Sequence, residues 1–191
     1  MNAEQQALLR TILEHPDDDA PRLVYADWLE ERGDPDQGAR AYFIRRQIAL
    51  SAIDPAELSG EAIDEQRRLL DLAERRWSSD WLRGQAQWRR GFIEGVFCSV
   101  ADWVEHREEL LADHPIRRVA LRGQVRAEDV PALVETVTPS CKLDLGGCTF
   151  APTIHLAAAA ATAQTISKYV VQGFYLMDRA WNRILHPRRG G

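Results

Sequence analysis

Pro21-Arg22-Leu23-Val24-Tyr25-Ala26-Asp27-Trp28-Leu29-Glu30-Glu31-Arg32-Gly33-Asp34 is a helix that carries its own start and stop signals. Asp17, Asp18 and Asp19 precede it and offer carboxylates to the unpaired amide groups of a first turn, where Pro21 fits without cost. Gly33 supplies the left-handed residue just past the end, and Pro35 is expected to prevent the helix from resuming. Leu23, Ala26 and Leu29 recur at helical spacing, with Val24 and Trp28 widening the stripe and Tyr25 flanking it. Asp27 lies one residue off that stripe. Its carboxylate is expected to be at least partly buried, and a buried carboxylate needs a cationic partner. Arg45 on the next helix is the expected partner, because a guanidinium can hold a carboxylate with two parallel hydrogen bonds. Arg22 is the alternative.

Working outward, Leu8, Leu9, Ile12 and Leu13 give a first amphipathic helix that ends before His15-Pro16. A third helix is expected from about Ala39 to Ser51, with Tyr42, Phe43, Ile44, Ile48 and Leu50 apolar. Asp54-Pro55 and Ser59-Gly60 mark a loop, and a fourth helix follows over roughly Gly60 to Ser78.

The run from Asp17 to Asp34, followed by Ala39-Arg40-Ala41-Tyr42-Phe43-Ile44-Arg45-Arg46-Gln47, resembles the bacterial repeat-companion domain. That domain is a small helical module usually found ahead of leucine-rich-type repeats. Trp88-Arg89-Arg90-Gly91-Phe92-Ile93-Glu94-Gly95-Val96 resembles the segment that leads into the repeats of such proteins. The resemblance implies no established activity and no catalytic residues. This chain departs from it at Tyr42, where an acidic residue is common.

Beyond Gly91 the pattern changes period. Ser140-x-x-Leu143-x-Leu145-x-x-Cys148-x-Phe150 follows the leucine-rich pattern, and Ile116-x-x-Val119-x-Leu121 follows its first half. Ile166-x-x-Tyr169-x-Val171-x-x-Phe174-x-Leu176 is a third candidate, and Ile93-x-x-Val96-x-Cys98 a capping strand upstream. Trp103–Leu111, Ala127–Val137 and Ile154–Ile166 read as the intervening helices, and Met177–Leu185 as a terminal cap. The expected fold is α+β: a helical module over 1–90, then a short leucine-rich-repeat-like α/β solenoid with parallel strands over 91–185. Residues 186–191 are expected to be a disordered tail. A truncated array leaves an apolar end, so a homodimer through the C-terminal repeat edge is a further expectation.

The chain carries a formal net charge of −5, which argues against general nucleic-acid binding. Charge is uneven, however. Residues up to Asp36 hold ten acids and three arginines, whereas Arg67 to Phe92 contain seven arginines and three acids. Cys98, Cys141 and Cys148 are odd in number with no Cys-x-x-Cys pair, which speaks for a reducing compartment and against a zinc site. No signal peptide or bilayer-spanning run is legible, so a cytoplasmic location is expected. No P-loop, Gly-x-Ser-x-Gly or His-Glu-x-x-His pattern occurs. No cofactor, metal or catalytic residue is expected.

The richest exposed chemistry is Arg76, Trp77, Trp81, Arg83, Trp88, Arg89 and Arg90, which suits a protein hot spot. It also suits stacking and phosphate contact with single-stranded nucleic acid. A third reading has the tryptophans pinning the helical module in place and the arginines paired to the acidic N-terminal half. The expected function is a non-enzymatic interaction module or adaptor for a protein partner. The alternatives are single-stranded nucleic-acid binding and an enzyme or effector with an acidic hydrolytic site in the N-terminal half.

Overall fold

The computed structural model describes residues 2–136, 138 and 140–150. The protein is α+β, with four helices followed by a four-stranded mixed sheet whose strands lie side by side in chain order. The helices are α1 (Ala3–Glu14), α2 (Ala20–Glu31), α3 (Pro35–Ser51) and α4 (Gly60–Arg76). After them come β1 (Ala86–Arg89), β2 (Phe92–Ser99), α5 (Val100–Asp113), β3 (Arg118–Val125), α6 (Val130–Thr136) and β4 (Lys142–Phe150). Among the described residues no helix is long and apolar enough to cross a membrane. The candidate third repeat, the helix expected over Ile154–Ile166, the terminal cap, the tail and the expected dimer edge all lie outside the described residues.

The described chain divides into two units. One holds residues up to Gly95 together with Glu109–Ile116; the other holds Val96–Glu108 and the chain from Arg117 onward.

In the first unit, Asn2 caps α1 by accepting the Gln5 N–H at 2.8 Å. Asp34 caps α3 by accepting from Asp36 and Gln37. Pro35 therefore opens α3 as its first residue; it does not merely bar α2 from resuming. Asp19 precedes α2 without a side-chain cap, and Asp18 Oδ1 instead accepts the Ala20 N–H at 2.9 Å. Gly33 does take the left-handed conformation, at φ 71°.

The buried face of α2 is Arg22, Tyr25, Ala26 and Leu29, whereas Leu23 is 37% and Val24 52% exposed. Ala26 and Leu29 are buried as expected, but Arg22 and Tyr25 take the inward place expected of Leu23, which turns the buried face toward the Arg22 side. Tyr25, Ala26 and Leu29 form one core with Leu9, Ile12, Ala41, Ile44 and Phe92.

β1 and β2 are consecutive, hydrogen-bonded and joined only by Arg90-Gly91, so they form an antiparallel hairpin. Arg90 has φ 48° and Gly91 φ 84°, the two positive values that a tight two-residue hairpin turn requires. A Cβ at Gly91 would lie 2.8 Å from Ile44 Cα, and the Gly91 N–H donates to Gln47 Oε1 at 2.8 Å. This turn is seated directly on α3.

In the second unit, β3 and β4 pair in parallel, with Val119 opposite Leu143 as the repeat spacing predicts. The register then slips, because Ala120 faces Asp144 but Arg122 faces Gly147. Gly146-Gly147 permit this bulge; a Cβ at Gly147 would meet Leu121 O at 3.0 Å. Cys148, at the Asn/Cys position of the repeat pattern, lies within β4 opposite Gly123. The expected all-parallel pairing is corrected by the antiparallel β1–β2 hairpin. Its physical origin is a two-residue connection, too short for any crossover between parallel strands. Trp103, fully buried, donates its Nε1–H to Thr136 Oγ1 at 2.9 Å and ties α5 to α6.

Candidate functional site

The arginine- and tryptophan-rich segment lies in the first unit, and most of it is engaged there. Trp88 is buried, packs edge-on against Phe43 and His114, and donates its indole N–H to Glu74 Oε1 at 2.9 Å. Trp77 packs on Phe43 with ring centroids 5.4 Å apart, and Arg76 pairs with Asp36 at 2.8 Å. Arg83 pairs with Asp80 at 2.8 Å; Arg89 is exposed and Trp81 half-buried. Arg90 donates to Glu94 at 2.8 Å, to Pro16 O at 3.0 Å and to Asp19 at 3.3 Å.

Arg90 belongs to a network centred on a residue the sequence reading placed only as a second choice. Arg22 is fully buried and donates to Glu94 Oε1 at 3.1 Å and to Pro16 O at 3.0 Å. Glu94, itself 5% exposed, thereby joins α2 to the β1–β2 hairpin. The Asp27–Arg45 pair also forms, at 2.6 Å, and Glu30 adds a second carboxylate 2.8 Å from Arg45. Both hydrogen bonds hold the Arg45 guanidinium above its ordinary pKa. The Asp27 side chain is 63% exposed, however, so this pair lies at the surface and not in the core. The inward turn of Arg22 and Tyr25 in place of Leu23 explains it: Asp27 lies nearly opposite that face and turns toward water.

Arg40 and His114 are further residues the sequence reading missed. Arg40 lies over four aromatic rings, with its guanidinium carbon 4.8 Å from the Trp77 centroid, 5.0 Å from Trp88, 5.4 Å from Phe92 and 5.5 Å from Phe43. Burial lowers it to about 10, so it remains a cation at neutral pH. Arg40, Phe43, Ile44 and Gln47 stand at helical spacing, but three of the four rings that receive the guanidinium lie far along the chain, at Trp77, Trp88 and Phe92. His114 accepts the Ile93 N–H on Nδ1 at 3.3 Å, and burial with the nearby Arg40 pushes it down to about 3. It is neutral, and no histidine motif announces it.

Among the described residues, the second unit presents an open sheet face. On β3, Val119, Leu121 and Val125 are buried while Arg118, Arg122 and Gln124 are exposed. Lys142, opposite Arg118, is exposed as well. Phe97 on β2 is 44% exposed between buried Val96 and Cys98, and the Arg118 guanidinium lies 5.7 Å from its ring. Asp144, 3.5 Å from Arg118, adds an acid to this face. Burial raises the Cys98 thiol to about 12 and those of Cys141 and Cys148 to about 11, so none is a thiolate at neutral pH. Among the described residues no cluster of three His, Cys, Asp or Glu is placed to hold a metal ion. Comparison with known protein families, curated proteins and solved structures finds no match for this chain.

Proposed function

We propose that this protein is a non-enzymatic binding module of the repeat-companion type, in which a helical module precedes a short leucine-rich-repeat-like solenoid. It engages an acidic segment of a protein partner through the open face of its sheet. One observation carries the reading. Parallel strands are ordinarily covered on both faces, yet among the described residues the β3–β4 pair and the adjoining part of β2 leave Phe97, Arg118, Arg122 and Lys142 exposed. Repeat proteins use such a face for binding. An aromatic ring beside guanidinium groups is a composition enriched where partners dock. Arg118 and Lys142 beside the Phe97 ring favour a partner segment that carries carboxylates. The tryptophans and most of the arginines between Arg76 and Arg90 support this face less directly, since they stabilise the first unit from within.

Selection from a random peptide library on the immobilised full chain tests the proposal. The expected result is enrichment of acidic peptides with an apolar anchor, lost in Phe97→Asp and Arg118→Glu variants whose circular dichroism is unchanged. Peptides that bind these variants as well as the parent, or enrichment without acidic residues, would place the contact elsewhere.

A further inference from the structure

The outward face of α2 is opposite in charge to the sheet face that the described residues leave open in the second unit, and both expose apolar side chains. Ala20, Leu23, Val24, Asp27, Glu30 and Glu31 stand at helical spacing on the side of α2 away from its core, and all are exposed. Leu23 and Val24 are two of the few large apolar residues exposed among those described; Phe97 on β2 is another. Single apolar residues on a surface mean little. Two adjacent ones followed by acids on the same helix face make an anchor flanked by charge.

That strip is acidic. Asp27 and Glu30 share Arg45, so with Glu31 three carboxylates stand against one guanidinium and the face keeps a net negative charge. The sheet face has the opposite sign, with Arg118 and Lys142 opposite each other on β3 and β4 against Asp144. The Arg118–Asp144 contact, at 3.5 Å between half-exposed side chains, is solvated and holds Arg118 only weakly. Phe97 lies beside this arginine, 5.7 Å from its guanidinium carbon. Two apolar residues followed by three acids are thus the complement of a ring followed by two cations.

We infer that the α2 strip is itself an occupant of that sheet face, in a second copy of this chain. The inference rests on the sheet-face reading given above and names one partner for it. Leu23 and Val24 of one copy pack on Phe97 of the next, while Asp27, Glu30 and Glu31 lie over Arg118 and Lys142. The two surfaces differ, so the contact is head-to-tail. A pair formed this way keeps one strip and one sheet face unused and can take up further copies. An acidic segment of another protein uses the same sheet face, so partner binding and self-association exclude one another.

Sedimentation equilibrium on the full chain tests this. So small a contact is weak, with a Kd of about 0.1 mM, and the weight-average mass should about double or more between about 10 µM and 1 mM. Raising salt from about 0.05 to 0.5 M should weaken association about tenfold. Val24→Asp spoils only the strip and Phe97→Asp only the sheet face, so each alone should stay monomeric with an unchanged circular dichroism spectrum. Mixed in equal amounts they should form a one-to-one dimer and nothing larger, because each supplies the face the other lacks. Glu31→Lys and Arg118→Glu repeat the test through charge if either variant unfolds. Self-association of either variant alone, or a mixture that stays monomeric, would overturn the inference. A parent that is monomeric at about 1 mM, while peptide selection still yields acidic ligands lost in Phe97→Asp, overturns this inference alone. Failure of both measurements takes the sheet-face reading with it.

Discussion

Arg22 and Asp27 stand five residues apart on α2, and each has an oppositely charged partner, but burial separates their energetics. Arg22 and Glu94 are almost wholly removed from water, and Glu94 serves both Arg22 and Arg90. Removing Glu94 takes the shared carboxylate from two cations, whereas removing Arg22 leaves Glu94 paired with Arg90. Glu94→Gln should cost about 3–5 kcal/mol in denaturant unfolding, and Arg22→Ala less. Asp27→Ala and Arg45→Ala should cost only about 0–1 kcal/mol, because their pair is solvated and screened. A loss at Asp27 as large as that at Glu94 would show that exposure is the wrong criterion here. His114 gives a pH dependence. Its folded pKa, about 3, lies below the ordinary value near 6.5, so between these limits the unfolded chain takes up a proton that the folded chain refuses. Its contribution is fully present above about pH 6.5 and is lost as pH falls toward 3. Melting curves at pH 7 and pH 4 should show a smaller loss of stability for His114→Gln, which retains an acceptor, than for the parent. An equal loss in both would mean that the imidazole reaches water in the fold.

Among the elements, the hairpin turn makes the sharpest demand on sequence. Gly91 combines a positive φ with a backbone approach to Ile44 that leaves no room for a Cβ. Gly91→Ala should therefore lower stability by about 2 kcal/mol or more, through both strain and displacement of α3, with thermal unfolding as the measure. Gly33→Ala carries the strain alone, since no atom lies within 4 Å of its Cβ position, and should cost less. A larger loss at Gly33 than at Gly91 would overturn this ranking. These elements also show where legibility in the sequence ends. Helix existence was plain from caps and apolar spacing, and so was the pairing of Val119 with Leu143. The phase of α2 was not, because the rule that places charges outside the stripe excluded Arg22. Arg22 is buried only by virtue of Glu94, seventy-two residues away, and no local pattern carries that information. Arg40 was hidden for the same reason, as the rings that receive it come from α3, the end of α4 and the hairpin. The course of β4 through Cys148 depends on Gly146-Gly147 accommodating a bulge, which repeat spacing alone does not announce.

At the scale of the whole molecule, the two units are interleaved along the chain. Sequence periodicity places the boundary near residue 90, where helical spacing gives way to strands. The first unit nevertheless includes the chain up to Gly95 and regains Glu109–Ile116 after Val96–Glu108 has joined the second. What lies in those two stretches decides whether the helices can fold alone. Phe92 belongs to the central core with Tyr25, Ala26 and Ile44; Glu94 neutralises Arg22; His114 packs on Trp88 and Phe92. A fragment of residues 2–90 keeps all four helices but loses every one of these groups. It would leave Arg22 buried without its carboxylate and expose the apolar faces that Phe92 covers. Such a fragment should populate a loosely packed state, helical by circular dichroism yet without a cooperative thermal transition and able to bind an apolar dye. A fragment of residues 2–116 restores Phe92, Glu94 and His114, and should melt cooperatively with dispersed amide resonances. Adding Glu94→Gln to the longer fragment should return it toward the loose state, which separates the effect of the buried charge from that of chain length. A cooperative melt for residues 2–90 would mean that the four helices form a self-sufficient core, and that the hairpin and the segment from Glu109 to Ile116 only decorate it.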